Sequence, residues 1–321
     1  MSLLDQLRDK AALVGRKKHV DDVIIPSLES LLQLRPEARR LGLSQKTVAA
    51  LQAGVYRSAF RGRGIDFEEV RVYQPGDDIR TMDWRVTART GTPHTKVYRE
   101  EHERPVLFLV DQGSSMMFGT RLAFKSVVAA HAAALMAWAV LDNNDRVGGL
   151  VFRGDRHWQL RASARRTGVL ALCKALSEGT LDDMNDTPEG NALNKALLRL
   201  SRITRPGSLL ILISDFREAD EQTAQLFARM AHHNDMAALL VHDPMEAHPP
   251  EPGRYPVTDG TRFLTLDTTP GGARDAYRSI LKDRIATVST LCRKNGAHFH
   301  TLSTGESLIR SLRHGLHQWY H

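Results

Sequence analysis

The stretch Pro105-Val-Leu-Phe-Leu-Val-Asp111-Gln-Gly-Ser-Ser115 decides the fold. A run of apolar, partly β-branched residues stops at an aspartate. Gly113 and two serines follow, and an alanine-rich helical pattern begins soon after. A strand with no polar alternation suits a parallel sheet covered by helices on both faces. Such a strand delivers its last side chains to the carboxyl edge of the sheet, where ligands of open α/β sheets bind.

Downstream of Pro105 the chain alternates strand and helix. Strand patterns cover Arg146 to Phe152, Trp158 to Leu160 at an edge, Ser208 to Asp215, Met236 to His242 and His298 to Thr301. A hairpin is expected between Pro249 and Asp267. Helical patterns cover Thr120 to Leu141, Thr167 to Leu176, Asn191 to Leu200, Asp220 to His232, Ala273 to Lys294 and Glu306 to His317. Asn295-Gly296 is a helix stop. This rhythm predicts an α/β fold with a doubly wound, mostly parallel sheet over residues 105–321.

Upstream, residues 1–55 read as a helical arm. Ser27 can cap Leu28 to Leu34, Pro36 stops that helix, and Ser44 can cap a second. Residues 56–104 differ in kind, being dense in arginine and aspartate. Val70 to Tyr73 predicts a strand and Gln74-Pro-Gly-Asp77 a turn. The alternation of Met82, Trp84 and Val86 predicts a second strand, and His94 to Tyr98 a third. The expectation is a small antiparallel β subregion.

The chain has 321 residues, 42% hydrophobic, with a net charge of +7, which is globular material with a mild basic excess. Aromatic residues make up 6%, too few to line a single-stranded nucleic-acid platform, so nucleic acid is not the expected partner despite Arg57, Arg61 and Arg63. The two cysteines, Cys173 and Cys292, sit in helical apolar patterns and are expected as buried thiols of a reducing compartment. The amino terminus has charges throughout and no signal-peptide core. Val127 to Leu141 is too short to cross a bilayer and contains His131. A cytoplasmic protein without membrane insertion is expected.

Two strands end in aspartate, Asp111 before Gly113-Ser114-Ser115 and Asp215 after Ser214. Between them, Asn191 opens a helix. Carboxylate, hydroxyl and amide oxygens of this kind suit a hard dication such as Mg2+. Ser115 lacks the glycine-flanked turn of a nucleophile elbow, so the constellation reads as adhesive rather than catalytic. It resembles the metal-ion-dependent adhesion site of von Willebrand factor A domains. The resemblance implies that Asp111 is the first aspartate, Ser115 the second serine and Asp215 the late aspartate. Gly113 stands where the first serine belongs, with Ser114 as a neighbour that could stand in by a local shift, and Asn191 stands where a threonine belongs.

The stretch Arg63-Gly64-Ile-Asp66-Phe67, Arg71-Val-Tyr73-Gln-Pro-Gly76-Asp77-Asp78-Ile-Arg80-Thr-Met-Asp83-Trp84 and Ala88-Arg89 resembles the signature of domain-of-unknown-function family 58. In that family the signature precedes a von Willebrand A-like domain. The resemblance implies a Rossmann-like sheet, no catalytic activity, and an adaptor role beside a MoxR-type AAA+ ATPase in the maturation of client proteins. Arg63, Asp77, Asp78, Arg80, Asp83, Trp84 and Arg89 are then a partner face. Many relatives carry amino-terminal membrane spans; the lack of one here implies a soluble branch. The alternative is a metal-dependent phosphodiester hydrolase built on Asp77, Asp78, Asp83 and His94. Pairing of those carboxylates with arginines would exclude it.

Overall fold

The computed structural model describes residues 25–41, 65–74, 77, 79–100, 104–120, 122–181, 190–258, 263–270 and 272–318. Two compact units are present, Arg57–Arg104 and the remainder of the chain.

In the larger unit six strands form one sheet: β3 (Pro105–Asp111), β4 (Arg146–Arg153), β5 (Arg156–Ser163), β6 (Leu209–Ser214), β7 (Asp235–His242) and β10 (His298–Ser303). Their order is β10-β7-β6-β3-β4-β5. All neighbours run parallel except β5, which turns back antiparallel along β4 at the edge. Numbered within the sheet this is the 3-2-1-4-5-6 order of a doubly wound fold, and its switch point lies between β3 and β6. Asp111 and Ser214-Asp215 therefore end neighbouring strands.

The period of two along each strand makes two cores. Val106, Phe108 and Val110 of β3 point to one face, together with Val147 and Val151 of β4 and Ile211 and Ile213 of β6. Helices α4 (Lys125–Asp142), α5 (Arg166–Leu181) and α10 (Leu308–Gln318) cover that face. Leu107 and Leu109 point to the other, beneath α6 (Ala192–Ile203), α7 (Glu221–Ala231) and α9 (Ala273–Lys294). Helix α4 is apolar on all sides because it is buried almost throughout its length. By length and composition it could cross a membrane, but 83% of it is buried inside the protein. Cys173 and Cys292 are buried free thiols, one in each core. The expected hairpin forms as a separate two-stranded sheet, β8 (Arg254–Thr258) with β9 (Phe263–Asp267).

Gly149 lies where the backbone of β4 closely approaches that of β3. It takes φ 142°, and a Cβ there would lie 2.0 Å from the Phe108 carbonyl oxygen of β3. Gly149→Val is expected to cost about 3 kcal/mol or more, because backbone rather than a side chain would have to move. Chemical denaturation of the purified variant checks this, and a loss below about 1 kcal/mol would contradict it.

The amino-terminal segment belongs to the first core. Helix α1 (Leu28–Gln33) is capped by Ser27, whose Oγ accepts the Ser30 N–H at 3.1 Å. Pro36 opens a further short turn, α2 (Arg35–Ala38). Leu31, Ala38 and Leu41 are buried against α4 and α5. Trp138 donates its indole N–H to the Leu31 carbonyl at 3.1 Å, and the Arg35 guanidinium lies over the same ring, 5.4 Å from its centre. The expected second helix after Ser44 lies outside the described residues.

In the smaller unit β1 (Ile65–Val72) pairs antiparallel with β2 (His94–Glu100), as the expected β subregion requires. The strand expected at Met82 to Val86 is instead helix α3 (Trp84–Thr90). Asp83 caps it, its Oδ1 accepting the N–H groups of Arg85 and Val86 at 3.0 and 3.1 Å. Gly91, at φ 72°, closes it. Three alternating apolar residues fit either period over so short a run, and the aspartate cap is the stronger local signal.

Candidate docking edge

Asp111 ends β3 almost buried, at 7% exposure. Its Oδ2 accepts the Ser214 hydroxyl at 2.6 Å and its Oδ1 accepts the Gly113 N–H at 2.8 Å. Burial, then repulsion from Asp215, push its carboxyl up to about 7, against the pull of the Ser214 and Gly113 hydrogen bonds. Asp215 is 1% exposed. Burial alone would raise it, but the Lys125 ammonium outweighs that and holds it below the ordinary carboxylate range. Lys125 Nζ donates to Asp215 Oδ2 at 2.8 Å, the Arg217 N–H donates to Oδ1 at 3.0 Å, and the Ser115 hydroxyl adds a further hydrogen bond. Phe216, next in the chain, sits at φ 51° with its ring buried in the second core. A bulky residue with positive φ is local strain of the kind stored at functional sites.

A third parallel strand also ends at an aspartate. Asp243 follows β7 and is fully buried. It accepts from the Thr120 hydroxyl, the Thr304 hydroxyl and the N–H groups of Thr120 and Met245. Burial pushes its pKa up, but these hydrogen bonds together outweigh it and hold the carboxyl below the ordinary range. It caps the short helix α8 (Pro244–Ala247), whose Glu246 returns Oε2 to the Asp243 N–H at 2.9 Å. Glu246 Oε1 meets Lys125 Nζ at 3.2 Å and the Arg284 guanidinium at 3.6 Å. Asp215, Lys125, Glu246 and Arg284 thus form one chain of alternating charge along the edge.

Asp111, Ser115 and Asp215 are brought together as the spacing predicts. Asn191 is exposed at φ 82°, at the start of α6, and Ser114 is exposed in a 3-10 turn over Ser114–Met116. Lys125, Asp243 and Glu246 were not singled out from sequence. Two signals pointed to them: a lone charge heading an otherwise apolar helix, and a third strand that ends in aspartate before Pro-Met-Glu. Among the described residues no group of three or more His, Cys, Asp and Glu could hold a metal ion.

The signature residues are employed differently. Asp77 Oδ1 accepts Arg71 at 2.6 Å and its Oδ2 accepts the Gln74 N–H at 2.9 Å. Asp83 is a helix cap. His94 Nδ1 meets the Thr92 carbonyl oxygen at 2.6 Å. Arg80, Trp84 and Arg89 are exposed. Arg63 and Asp78 lie outside the described residues. Asp77 is thus paired with arginine, and Asp83 is occupied by backbone N–H groups.

The chain is 29% identical over 294 residues to uncharacterized proteins of Mycobacterium tuberculosis and Mycobacterium bovis, covering 91% of this chain and 89% of each relative. Among solved structures it is similar to the conserved hypothetical protein BatB of Bacteroides thetaiotaomicron, with TM-score 0.43, 15% identity, and coverage of 67% of this chain and 98% of that one. A von Willebrand factor type A protein of Catenulispora acidiphila aligns with TM-score 0.38 and 12% identity, covering 71% of this chain and 44% of that one. A family model described as protein of unknown function DUF58 matches residues 69–287, and the chain belongs to that family.

Proposed function

We propose that this chain is a non-enzymatic interaction module of the cytoplasm. It docks partners at the carboxyl edge around Asp111 and works beside a MoxR-type AAA+ ATPase in the maturation or assembly of client proteins. The observation that carries the reading is the edge itself. Buried carboxylates are held by hydrogen bonds at a switch point, where doubly wound folds bind ligands. The mostly exposed Trp84, with Arg80 and Arg89, offers the smaller unit a face for contact of its own. Two buried free thiols suit a reducing compartment.

The edge could engage an acidic side chain through a divalent ion held by Asp111, Ser115, Asn191 and Asp215, or without one. These two forms give opposite results with chelator. Co-purification with the AAA+ ATPase is the test. Asp111→Ala is expected to reduce recovery of the partner by at least about tenfold, the equivalent of one lost buried contact, while the circular dichroism spectrum stays native. Unchanged recovery would remove this edge from the docking surface.

A further inference from the structure

We propose that Lys125 is the resident cation of the edge. Its ammonium supplies to Asp215 the positive charge that a divalent ion supplies in an adhesion site, so the site works without metal. This goes beyond the docking reading and does not depend on it.

Four observations meet here. Lys125 is 2% exposed, and a buried charge persists only when paired. It is paired twice, with Asp215 at 2.8 Å and Glu246 at 3.2 Å, and the Phe118 ring closes over it at 6.0 Å. Asp215, which the adhesion-site resemblance makes a ligand, has Oδ2 on Lys125 and Oδ1 on the Arg217 N–H. The Ser115 hydroxyl, a second ligand in that resemblance, is also turned to Asp215. A dication bound there would face an ammonium a few ångströms away in a medium that screens poorly.

The third observation is the missing hydroxyl. Position 113 is glycine, and a Cβ placed there would lie 3.1 Å from Asp111 Oδ1, tighter than an ordinary contact. The loop packs against the carboxylate, which would have to give by a few tenths of an ångström to admit a serine side chain. The fourth is charge balance. Lys125 and Arg284 face Asp215 and Glu246, two cations to two carboxylates. Asp111 is satisfied by a hydroxyl and an N–H instead. Mg2+ needs near-octahedral oxygen ligation at short range, and the described donors are committed elsewhere.

The full chain alone is enough for the test, so its failure is separate from failure of the docking reading. Wild type is titrated with Mn2+ and followed by electron paramagnetic resonance. Melting is compared in millimolar Mg2+ and in EDTA. Lysine acylation is mapped by mass spectrometry with and without Mg2+. The expected results are no Mn2+ binding that Asp111→Asn abolishes, the same Tm in both buffers, and a Lys125 that stays unmodified throughout. Lys125→Ala, with Lys125→Gln as the variant to use should alanine not fold, is expected to melt lower. Added Mg2+ should then recover part of that loss. An ion at about 100 times its Kd would raise Tm by roughly 5 °C.

One Mn2+ bound by wild type and lost in Asp111→Asn would overturn the proposal, as would Mg2+ opening Lys125 to acylation. Lower melting with no divalent response would make Lys125 a structural ion pair only, and would also overturn it.

Discussion

Lys125→Met is expected to lower the free energy of unfolding by about 3–5 kcal/mol, a large share of what a domain has. The side chain keeps its length and loses its charge. Asp215, 1% exposed, is then left as a buried carboxylate whose Oδ2 has lost its ammonium partner. Glu246 keeps Arg284 at 3.6 Å and is less affected. Replacing both partners should be far milder than replacing one, because the penalty lies in the orphaned charge and not in the absence of the pair. Lys125→Met with Asp215→Asn is accordingly expected to recover most of the loss. Urea titrations of the wild type, both single variants and the double close the cycle. A single-variant cost under about 1 kcal/mol would show that the pair is solvated in solution.

The second large effect is in the pH dependence. Asp111 carries a carboxyl at about 7, against 3.8 for the free side chain. In the folded chain it keeps its proton while the unfolded chain releases it. Its contribution is therefore fully present below about pH 4 and is lost as pH rises to about 7. The span corresponds to roughly 4 kcal/mol at most. Asp215 works in the opposite sense. Its lowered pKa contributes stability above the ordinary carboxylate range and loses it only in stronger acid.

Asp111→Asn removes the first slope and leaves the second. The amide can still accept the Gly113 N–H and reach Ser214, so the edge should stay folded. Relative to wild type the variant gains stability as pH rises from about 4 to about 7, and its advantage is largest in mild alkali. Melting temperatures of the two proteins across that range test it. Parallel curves would mean that Asp111 is ionised in the fold throughout.

The doubly wound α/β fold was legible because its evidence is local. Val106 to Val110 is apolar on both faces of a strand, and only a sheet covered twice accepts that pattern. Helix α9 runs over Ala273–Lys294 as its periodicity and its Asn295-Gly296 stop required. The error at Met82 to Val86 came from a window too short to separate a period of 2 from one of 3.6, where the Asp83 cap should have prevailed.

The sequence alone determined that Asp111 and Asp215 end parallel strands, and therefore that they share one edge, since strand ends follow from where the apolar runs stop. The choice of cation was decided only by tertiary structure. Lys125 lies 90 residues from Asp215 and 121 from Glu246, with no spacing rule to join them. They meet because α4 must pack its whole apolar surface on the sheet, which carries its first residue into the edge, buried with its charge and in need of carboxylates. Spacing describes neighbours along a helix or strand. The pairing of a buried charge is set by what the fold leaves beside it.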